Sequence, residues 1–207
     1  MRTKFAKDWW IGVLPEFGGS GAEHVAQFAK TKMGPKWLKD GRRQRIESQI
    51  RWLMPELLDG RRRRVLDVGC GTGGHLAAIR WLGHDVAGVD RAGSHFRTLN
   101  EHIGVEIPEF TIGTDERLPF ADAEFDLVYA IEVLIRRSFT QSVIRSTMEE
   151  IGRVIRPGGA ILTGWWDRDI RAPWRGEYVP AGFTAERIEW EYNGTTPYFF
   201  MRCTKDY

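Results

Sequence analysis

The chain has 207 residues and a mass of 23.8 kDa, a size that allows one domain with a substantial hydrophobic core. Hydrophobic residues make up 42% and charged residues 28%, a composition that excludes a disordered or fibrous protein. The net charge of +2 hides a division, since residues 1–64 carry 15 basic and 7 acidic side chains whereas residues 65–207 carry 15 and 21. A basic N-terminal segment therefore precedes an acidic body.

The first apolar run and the cysteines exclude further classes. Residues 9–14 are too few to span a membrane, and no small-residue cleavage site follows them. Cys70 and Cys203 are too few for a disulfide framework and are wrongly spaced for a zinc motif. We therefore expect a reduced cytoplasmic protein with no metal site and no membrane association.

The basic segment contains helix-like stretches at about 22–33 and 40–59, with glycine-rich breaks before and between them. In the second stretch, apolar residues recur at helical spacing, as on one buried face: Ile46, Ile50, Leu53, Met54 and Leu57. The run Arg61–Arg64 is interpreted as a solvated link rather than a phosphate contact. Residues 1–64 are predicted to form a helical cap or lid, distinct from a domain at 65–207.

In the body, short apolar runs alternate with helical stretches, which predicts an α/β fold with a doubly wound, mostly parallel sheet. Strands are predicted at 65–68, 85–90, 109–112, 125–131 and 159–165, and helices at about 74–82, 93–102 and 140–155. Residues 157–159 are expected to form a turn into the last of these strands. The segments 188–192 and 198–204 flank Asn193-Gly194, which predicts a final antiparallel hairpin and a seven-stranded sheet.

A glycine-rich turn lies between the first predicted strand of the body and the helix that follows it. Glycines let the backbone approach a ligand closely, and a helix N-terminus presents free N–H groups to an anion. About twenty residues further on, Asp90 is placed to accept hydrogen bonds from ribose hydroxyls. Together these features indicate a nucleoside-containing cofactor.

The same turn satisfies two cofactor motifs. Gly69, Gly71 and Gly74 match the dinucleotide fingerprint, whereas Asp67 precedes a second spacing that ends at Gly73. A carboxylate is unfavourable beside a pyrophosphate. S-adenosylmethionine carries an ammonium group that Asp67 can hold, directly or through water, while N–H groups of the turn bind its carboxylate. The second motif is therefore favoured.

Five segments in this order resemble class I S-adenosylmethionine-dependent methyltransferases: 65–74, Asp90, 113–120, 125–130 and 153–159. The resemblance covers 65–165 firmly and 183–204 loosely, and it does not extend to the first 64 residues. It implies a Rossmann-like fold, S-adenosylmethionine as cofactor and S-adenosylhomocysteine as product.

The resemblance also implies which residues contact the cofactor. The methionine half would lie against the turn, at Asp67, Gly69, Cys70, Gly71 and Gly73, and against the backbone oxygen of Ile131. Asp90 would bind the ribose and Arg91 would pack on the adenine. Thr114, Asp115 and Glu116 would meet the adenine edge, where the family's usual acid falls on Thr114, so that either Thr114 or Asp115 reaches the adenine amino group.

Substrate residues are expected beyond the carboxyl ends of the fourth and fifth predicted strands, where ligands bind in open α/β sheets. The candidates for the substrate pocket are Tyr129, Arg136, Trp165 and Trp166, joined by Trp9 and Trp10 of the lid. The alternatives are a core position for one of the adjacent tryptophans and a solvent position for Arg136. Asp167, Glu132 and His24 are candidate general bases, required only if the acceptor must lose a proton.

The positions of two further histidines are predicted from the elements in which they lie. His75 begins the helix after the glycine turn and is expected on its surface, with contact to the cofactor as the alternative. His84 lies at the end of an element and is expected at the surface.

The leading hypothesis is methyl transfer to a small-molecule acceptor, aromatic or anionic, because the N-terminal segment is basic and rich in tryptophan. One alternative is an RNA or other nucleic-acid methyltransferase that contacts phosphates through basic residues of that segment. Another is a non-catalytic S-adenosylmethionine-binding partner protein, and Asp67 disfavours a nicotinamide oxidoreductase. We expect a monomer or a homodimer.

Overall fold

The computed structural model of the protein describes residues 42–70, 74–90, 117–131, 133–134, 140–166, 178–190 and 198–207. Its α-helices in these ranges are α1 (Arg42–Leu53), α2 (Gly74–Trp81) and α3 (Gln141–Val154), and a 3-10 helix at Pro55–Leu58 follows α1. Its strands are β1 (Arg64–Val68), β2 (Asp85–Val89), β3 (Phe125–Ile131), β4 (Ile155–Trp166), β5 (Phe183–Trp190) and β6 (Tyr198–Lys205).

The described strands form one six-stranded sheet in the order β2-β1-β3-β4-β6-β5. The pairs β1–β2, β1–β3 and β3–β4 are parallel, whereas β6 runs antiparallel to both β4 and β5. The predicted mixed α/β fold with a terminal antiparallel hairpin is therefore confirmed. One of the seven predicted strands, at 109–112, lies outside the described residues. So do residues 1–41, the predicted helix at 93–102 and the hairpin turn.

Strand β4 begins earlier than the sequence predicts. The expected turn at 157–159 is instead an irregular stretch inside the strand, where the β3–β4 register shifts between Phe125 and Leu127. Gly158 has a φ of +75° and takes up this irregularity, because a left-handed backbone costs glycine little. The pairing is regular from Ala160 to Gly164, which brings the end of β4 alongside the end of β3.

The sheet buries an apolar cluster on each face. On one face, α1, the 3-10 helix and α2 pack against Leu127, Tyr129, Leu162 and Phe200. On the other face, α3 packs against Leu66, Val128 and Ile161. The segment from α1 through the 3-10 helix contributes all five residues of the predicted apolar stripe to the first cluster: Ile46, Ile50, Leu53, Met54 and Leu57.

His84 is buried, so its expected surface position is wrong. Its side chain is 1% exposed, and its Nε2 lies 2.8 Å from the carbonyl oxygen of Leu57 while Nδ1 accepts from the backbone N–H of Arg63 at 3.2 Å. These partners require a neutral ring with its proton on Nε2, and burial lowers the pKa of His84. The imidazole thus joins the 3-10 helix to the start of β1.

Three of the four arginines at 61–64, where the chain enters β1, are paired rather than merely solvated. Their ion pairs are Arg62–Asp85 at 2.5 Å, Arg63–Asp59 at 2.6 Å and Arg64–Glu124 at 2.5 Å. Each pair joins a point near the amino-terminal end of β1 to a neighbouring loop or strand. Within the described ranges, no helix is long and apolar enough to cross a membrane.

Candidate functional site

The candidate site lies at the carboxyl ends of β1 and β3. Strand β1 pairs with β2 on one side and with β3 on the other. The strand order therefore reverses direction between β1 and β3. Such a change of direction leaves a crevice beyond the strand ends, and ligands of open α/β sheets bind there. The glycine turn predicted from the sequence starts at this crevice.

The turn after β1 requires glycine at its first position. Gly69 has a φ of +76°, a left-handed backbone that other residues adopt only at a cost. The N–H groups of Gly69 and Cys70 donate to the carbonyl oxygen of Val89 at 2.8 and 3.1 Å, which fastens the turn to β2. A Cβ at Gly69 would stand 2.5 Å from a methyl group of Val133, so the segment after β3 rests directly on the turn.

A second close approach holds helix α2 against β2. A Cβ at Gly88 would stand 2.5 Å from Leu76 and 3.1 Å from the Cys70 sulfur. Cys70 is 7% exposed, and burial together with the nearby acids Asp67 and Asp90 raises the pKa of its thiol. The thiol therefore stays protonated, and Cys70 serves the turn as a small packing group rather than as a nucleophile.

Asp67 is a buried acid on the same face of the sheet as α1 and α2. It is 4% exposed, and its register partner on β3 is Tyr129. Burial raises the pKa of Asp67 to about 8, the charge of Asp90 adds to the rise, and the Tyr129 hydroxyl opposes it. Within the described part of the chain, no basic side chain forms an ion pair with Asp67. The Asp67 carboxylate is therefore suited to bind a cationic group of a ligand.

Tyr129 is 1% exposed and belongs to the core. Its hydroxyl lies close enough to Asp67 to lower the pKa of that carboxyl, although it makes no hydrogen bond of standard geometry to any described residue. Burial and the charge of Asp67 raise the pKa of Tyr129 far above its usual value, so the phenol keeps its proton. The sequence placed Tyr129 in the substrate pocket, whereas its hydroxyl lies beside the acid of the glycine turn.

His75 and Gln49 also belong to this region, where the sequence indicated cofactor contact for His75 only as an alternative and no role for Gln49. His75 is half-buried rather than on the surface of α2, and its Nε2 lies 2.8 Å from Oε1 of Gln49. Gln49 itself is 1% exposed, on the buried face of α1. The one available signal was a polar residue, Gln49, within the apolar stripe that contains Ile46, Ile50 and Leu53.

Of the other predicted site residues, the structure describes Asp90 after β2 and Ile131 at the end of β3, both half-buried. Trp165 and Trp166 lie in β4, where their backbones pair with Phe199 and Tyr198. The remaining candidates lie outside the described residues: Trp9, Trp10, His24, Gly71, Gly73, Arg91, Thr114, Asp115, Glu116, Glu132, Arg136 and Asp167. Among the residues that are described, no three His, Cys, Asp or Glu side chains cluster as metal ligands.

A polar cavity of about 240 Å³ lies at the opposite end of the sheet and is a poor candidate for the active site. Its charged lining residues are already matched, in the pairs Arg202–Glu56 at 2.6 Å and Arg156–Asp126 at 2.8 Å. A third arginine of the lining, Arg63, pairs with Asp59. This cavity offers a ligand no unmatched charge comparable to Asp67.

Comparison with known proteins adds to this geometry. The family model described as a methyltransferase domain matches residues 65–159. The protein 24-methylenesterol C-methyltransferase 2 of Oryza sativa subsp. japonica is 36% identical over 111 residues, which cover 50% of this chain and 29% of that protein. The chain spans less than half the length of the curated relatives it matches.

Solved structures share the fold. The PH0226 protein from Pyrococcus horikoshii OT3 superposes with a TM-score of 0.56 at 22% identity, covering 77% of this chain and 91% of that one. A SAM-dependent methyltransferase from Methanosarcina mazei gives a TM-score of 0.57 at 16% identity, covering 75% of this chain and 97% of that one. At these identities the superpositions establish only the fold. The family model adds the match to a methyltransferase domain. Residues 65–159 therefore match a methyltransferase domain, on a fold shared with S-adenosylmethionine-dependent methyltransferases of known structure, as the resemblance of the glycine turn and the segments after it predicted.

Proposed function

We propose that the chain transfers a methyl group from S-adenosylmethionine to a small-molecule acceptor, and that Asp67 receives the ammonium group of the cofactor. The observation that carries the proposal is the buried acid at the switch point of the sheet, with a pKa raised to about 8 and no cation paired to it among the described residues. When bound, the cofactor supplies a methyl group activated by an adjacent sulfonium.

The residues of the turn fit this cofactor. The turn at Gly69 and Cys70 is fastened to β2 through Val89, so its backbone is held in place before a ligand arrives. An ammonium beside Asp67 would favour the ionised carboxylate and so offset the energetic cost of burying that charge. Asp90 follows β2 on the neighbouring strand, where a ribose bound beyond Asp67 would meet it.

The remaining contacts extend this proposal to residues outside the described ranges. Arg91 would pack on the adenine, Thr114 or Asp115 with Glu116 would bind its edge, and the backbone of Ile131 would face the methionine amino group. Within the predicted cap at residues 1–64, residues 46–57 pack against the sheet as part of its core, so closure over the acceptor and exclusion of water would fall to the part of the cap that precedes α1. Acceptor contacts would come from Arg136, Trp9, Trp10, Trp165 and Trp166, with Asp167, Glu132 or His24 as base where the acceptor must lose a proton.

A small acceptor is favoured over a nucleic acid because three of the four arginines at 61–64 are already engaged. Arg62, Arg63 and Arg64 each form an ion pair with an acid of this chain. Phosphate contacts would have to compete with these pairs, which weakens the case for an electrostatic footprint on a nucleic acid. The sterol methyltransferase among the relatives, by its name, acts on a small apolar molecule, and that supports the same class of acceptor here.

Calorimetry tests the cofactor contact. S-adenosylmethionine, S-adenosylhomocysteine and NAD are titrated into the protein, into Asp67→Asn and into Asp126→Asn as a matched control. Asp126 is also an acid of the central strands, but it pairs with Arg156 at the other end of the sheet. We expect about 10-fold weaker binding of S-adenosylhomocysteine by Asp67→Asn, the scale of a lost charged hydrogen bond. Equal affinity of the two variants would refute the role of Asp67.

The acceptor class is tested with methyl-labelled S-adenosylmethionine and a cell extract separated into small molecules, RNA and protein. We expect the label in the small-molecule fraction, with no transfer by a heat-inactivated control. Label confined to the RNA fraction would overturn the small-molecule proposal while leaving the methyltransferase assignment intact.

A further inference from the structure

A buried polar connection runs from helix α1 to the carboxyl end of β1. It begins at Gln49, which is 1% exposed on the face of α1 that carries Ile46 and Ile50. Its oxygen Oε1 lies 2.8 Å from Nε2 of His75 on α2. An amide oxygen can only accept a hydrogen bond, so the His75 proton is on Nε2.

The connection continues from His75 to the sheet through an aromatic contact. The His75 ring and the Tyr129 ring are 5.3 Å apart between centroids and tilted by 54°. Tyr129 is in turn the register partner of Asp67 on the adjacent parallel strand. The Tyr129 ring is therefore in contact with a histidine that is hydrogen-bonded to α1.

Packing alone does not require a glutamine at this point. A buried amide must keep hydrogen-bond partners or lose stability, whereas a leucine would fill the same place in the apolar stripe without that need. Gln49 therefore does something that an apolar residue could not do, which is to accept the hydrogen bond of His75.

We propose that Gln49 and His75 are positioning residues that fix the Tyr129 ring, so that its hydroxyl is directed at Asp67 when Asp67 receives the cofactor's ammonium group. This inference rests on the proposed function, because it takes Asp67 as the ammonium site. It gives the basic N-terminal segment a route to the cofactor through α1, independent of any contact with the acceptor.

Among the described residues, the groups at or next to Asp67 come from four places. They are the Tyr129 hydroxyl on β3, the Asp90 carboxylate after β2, the Cys70 thiol of the turn and the His75 ring on α2, beyond Tyr129. A hydroxyl directed at Asp67 favours its ionised form, and Asp90 disfavours it. Loss of the hydroxyl, or of its orientation, should therefore move the ionisation of Asp67 to higher pH.

The test is the affinity for S-adenosylhomocysteine, measured by calorimetry from about pH 6 to pH 9. The variants are Tyr129→Phe, His75→Phe and Gln49→Leu, and Ile50→Val is the matched control. Ile50 neighbours Gln49 and is fully buried, but it has no polar group. His75→Phe keeps an aromatic ring against Tyr129 and removes the hydrogen bond to Gln49.

We expect the affinity of the unaltered protein to rise with pH until Asp67 is ionised. Tyr129→Phe should move the midpoint of this rise upward and weaken binding about 5-fold at pH 7, the scale of one weak hydrogen bond. His75→Phe and Gln49→Leu should move the midpoint in the same direction by a smaller amount. Ile50→Val should lose stability to urea while keeping the midpoint of the unaltered protein.

A purely structural role for Gln49 and His75 predicts a different result. Their variants would then resemble Ile50→Val, with lower stability and an unmoved midpoint while Tyr129→Phe shifts, and this result would overturn the proposal. The double variant His75→Phe/Tyr129→Phe should shift no further than Tyr129→Phe alone, and an additive shift would also overturn it. If one single variant fails to fold, the other carries the same comparison.

The ammonium site itself is checked with Asp67→Asn. A normal affinity and pH profile in this variant would show that the cofactor contact, rather than the positioning of Tyr129, had been wrongly assigned.

Discussion

The two ends of the parallel strands differ in whether their acidic side chains are paired with basic ones. At the amino-terminal end, acids and arginines are matched in a dense set of pairs: Arg62–Asp85, Arg63–Asp59, Arg64–Glu124, Arg156–Asp126 and Arg202–Glu56. At the carboxyl end, Asp67 is 4% exposed and pairs with no basic side chain of the described ranges. The first arrangement needs no ligand, whereas the second would be completed by the ammonium group that we propose Asp67 receives.

The difference separates residues that stabilise the fold from residues that serve the site. Ion pairs in contact with water contribute little each, and their loss weakens the protein without disturbing the crevice. A buried acid without a partner opposes folding as pH rises, because its charged form is poorly solvated. Such a group is typical of functional sites, where ligand binding offsets this energetic cost. Substitutions at the two ends should therefore affect different measurements.

The largest effect is expected from Gly69→Ala, with Gly60→Ala as the matched control. Both glycines have positive φ angles, +76° and +80°, so both variants carry a similar backbone strain of about 1–2 kcal/mol. Only at Gly69 would the new Cβ overlap Val133. We expect Gly69→Ala to weaken binding of S-adenosylhomocysteine about 100-fold, the scale of a displacement of about 1 Å in a site. Unchanged affinity in Gly69→Ala would contradict the placement of the cofactor at this turn.

The pH dependence of stability should depend on Asp67. Its pKa is raised to about 8 in the folded protein, so the folded state holds a proton that the unfolded state releases near pH 4. Without cofactor, the free energy of unfolding should fall by a few kcal/mol as pH rises from about 4 to about 8. Urea denaturation at several pH values should show a flatter profile for Asp67→Asn. An equally steep fall in that variant would assign the dependence to other groups.

A moderate effect is expected from Glu56→Gln at the opposite end. Glu56 accepts from Arg202 at 2.6 Å, and both side chains are about four-fifths buried, with 20% and 23% exposed. Loss of the charge should lower the free energy of unfolding by about 1–3 kcal/mol. Affinity for S-adenosylhomocysteine should stay unchanged. A loss of affinity without a loss of stability would contradict the conclusion that the ion pairs at the amino-terminal end stabilise the fold and do not serve the site.

The smallest effect is expected from Arg62→Ala. Its pair with Asp85 is solvated, with 66% of the arginine side chain and 37% of the aspartate exposed. Water and salt screen such a pair, so the urea midpoint should not move measurably at physiological ionic strength. A clear loss of stability would show that the surface pairs at this end act as a network.

Much of the fold follows from the sequence because buried parallel strands read as apolar runs. The predicted bounds of β3 match the structure, and β1, β2 and α2 differ from prediction by one residue at an end. The position of the glycine turn after β1 was predicted because it depends on local spacing. His84 was misplaced because its partners, Leu57 and Arg63, lie 27 and 21 residues away and become neighbours only through the fold. The hydrogen bond between Gln49 and His75, 26 residues apart in the sequence, escaped prediction for the same reason.

The packing of α1 and the 3-10 helix has a consequence for how the chain unfolds. Ile50, Leu53, Met54 and Leu57 are each 1% exposed or less, and they share one apolar cluster with the sheet. The neutral His84 adds a hydrogen-bonded joint between the two parts. Residues 42–58 therefore melt together with the sheet as one cooperative unit, and slow exchange of their amide hydrogens should extend to residues that precede the matched methyltransferase segment.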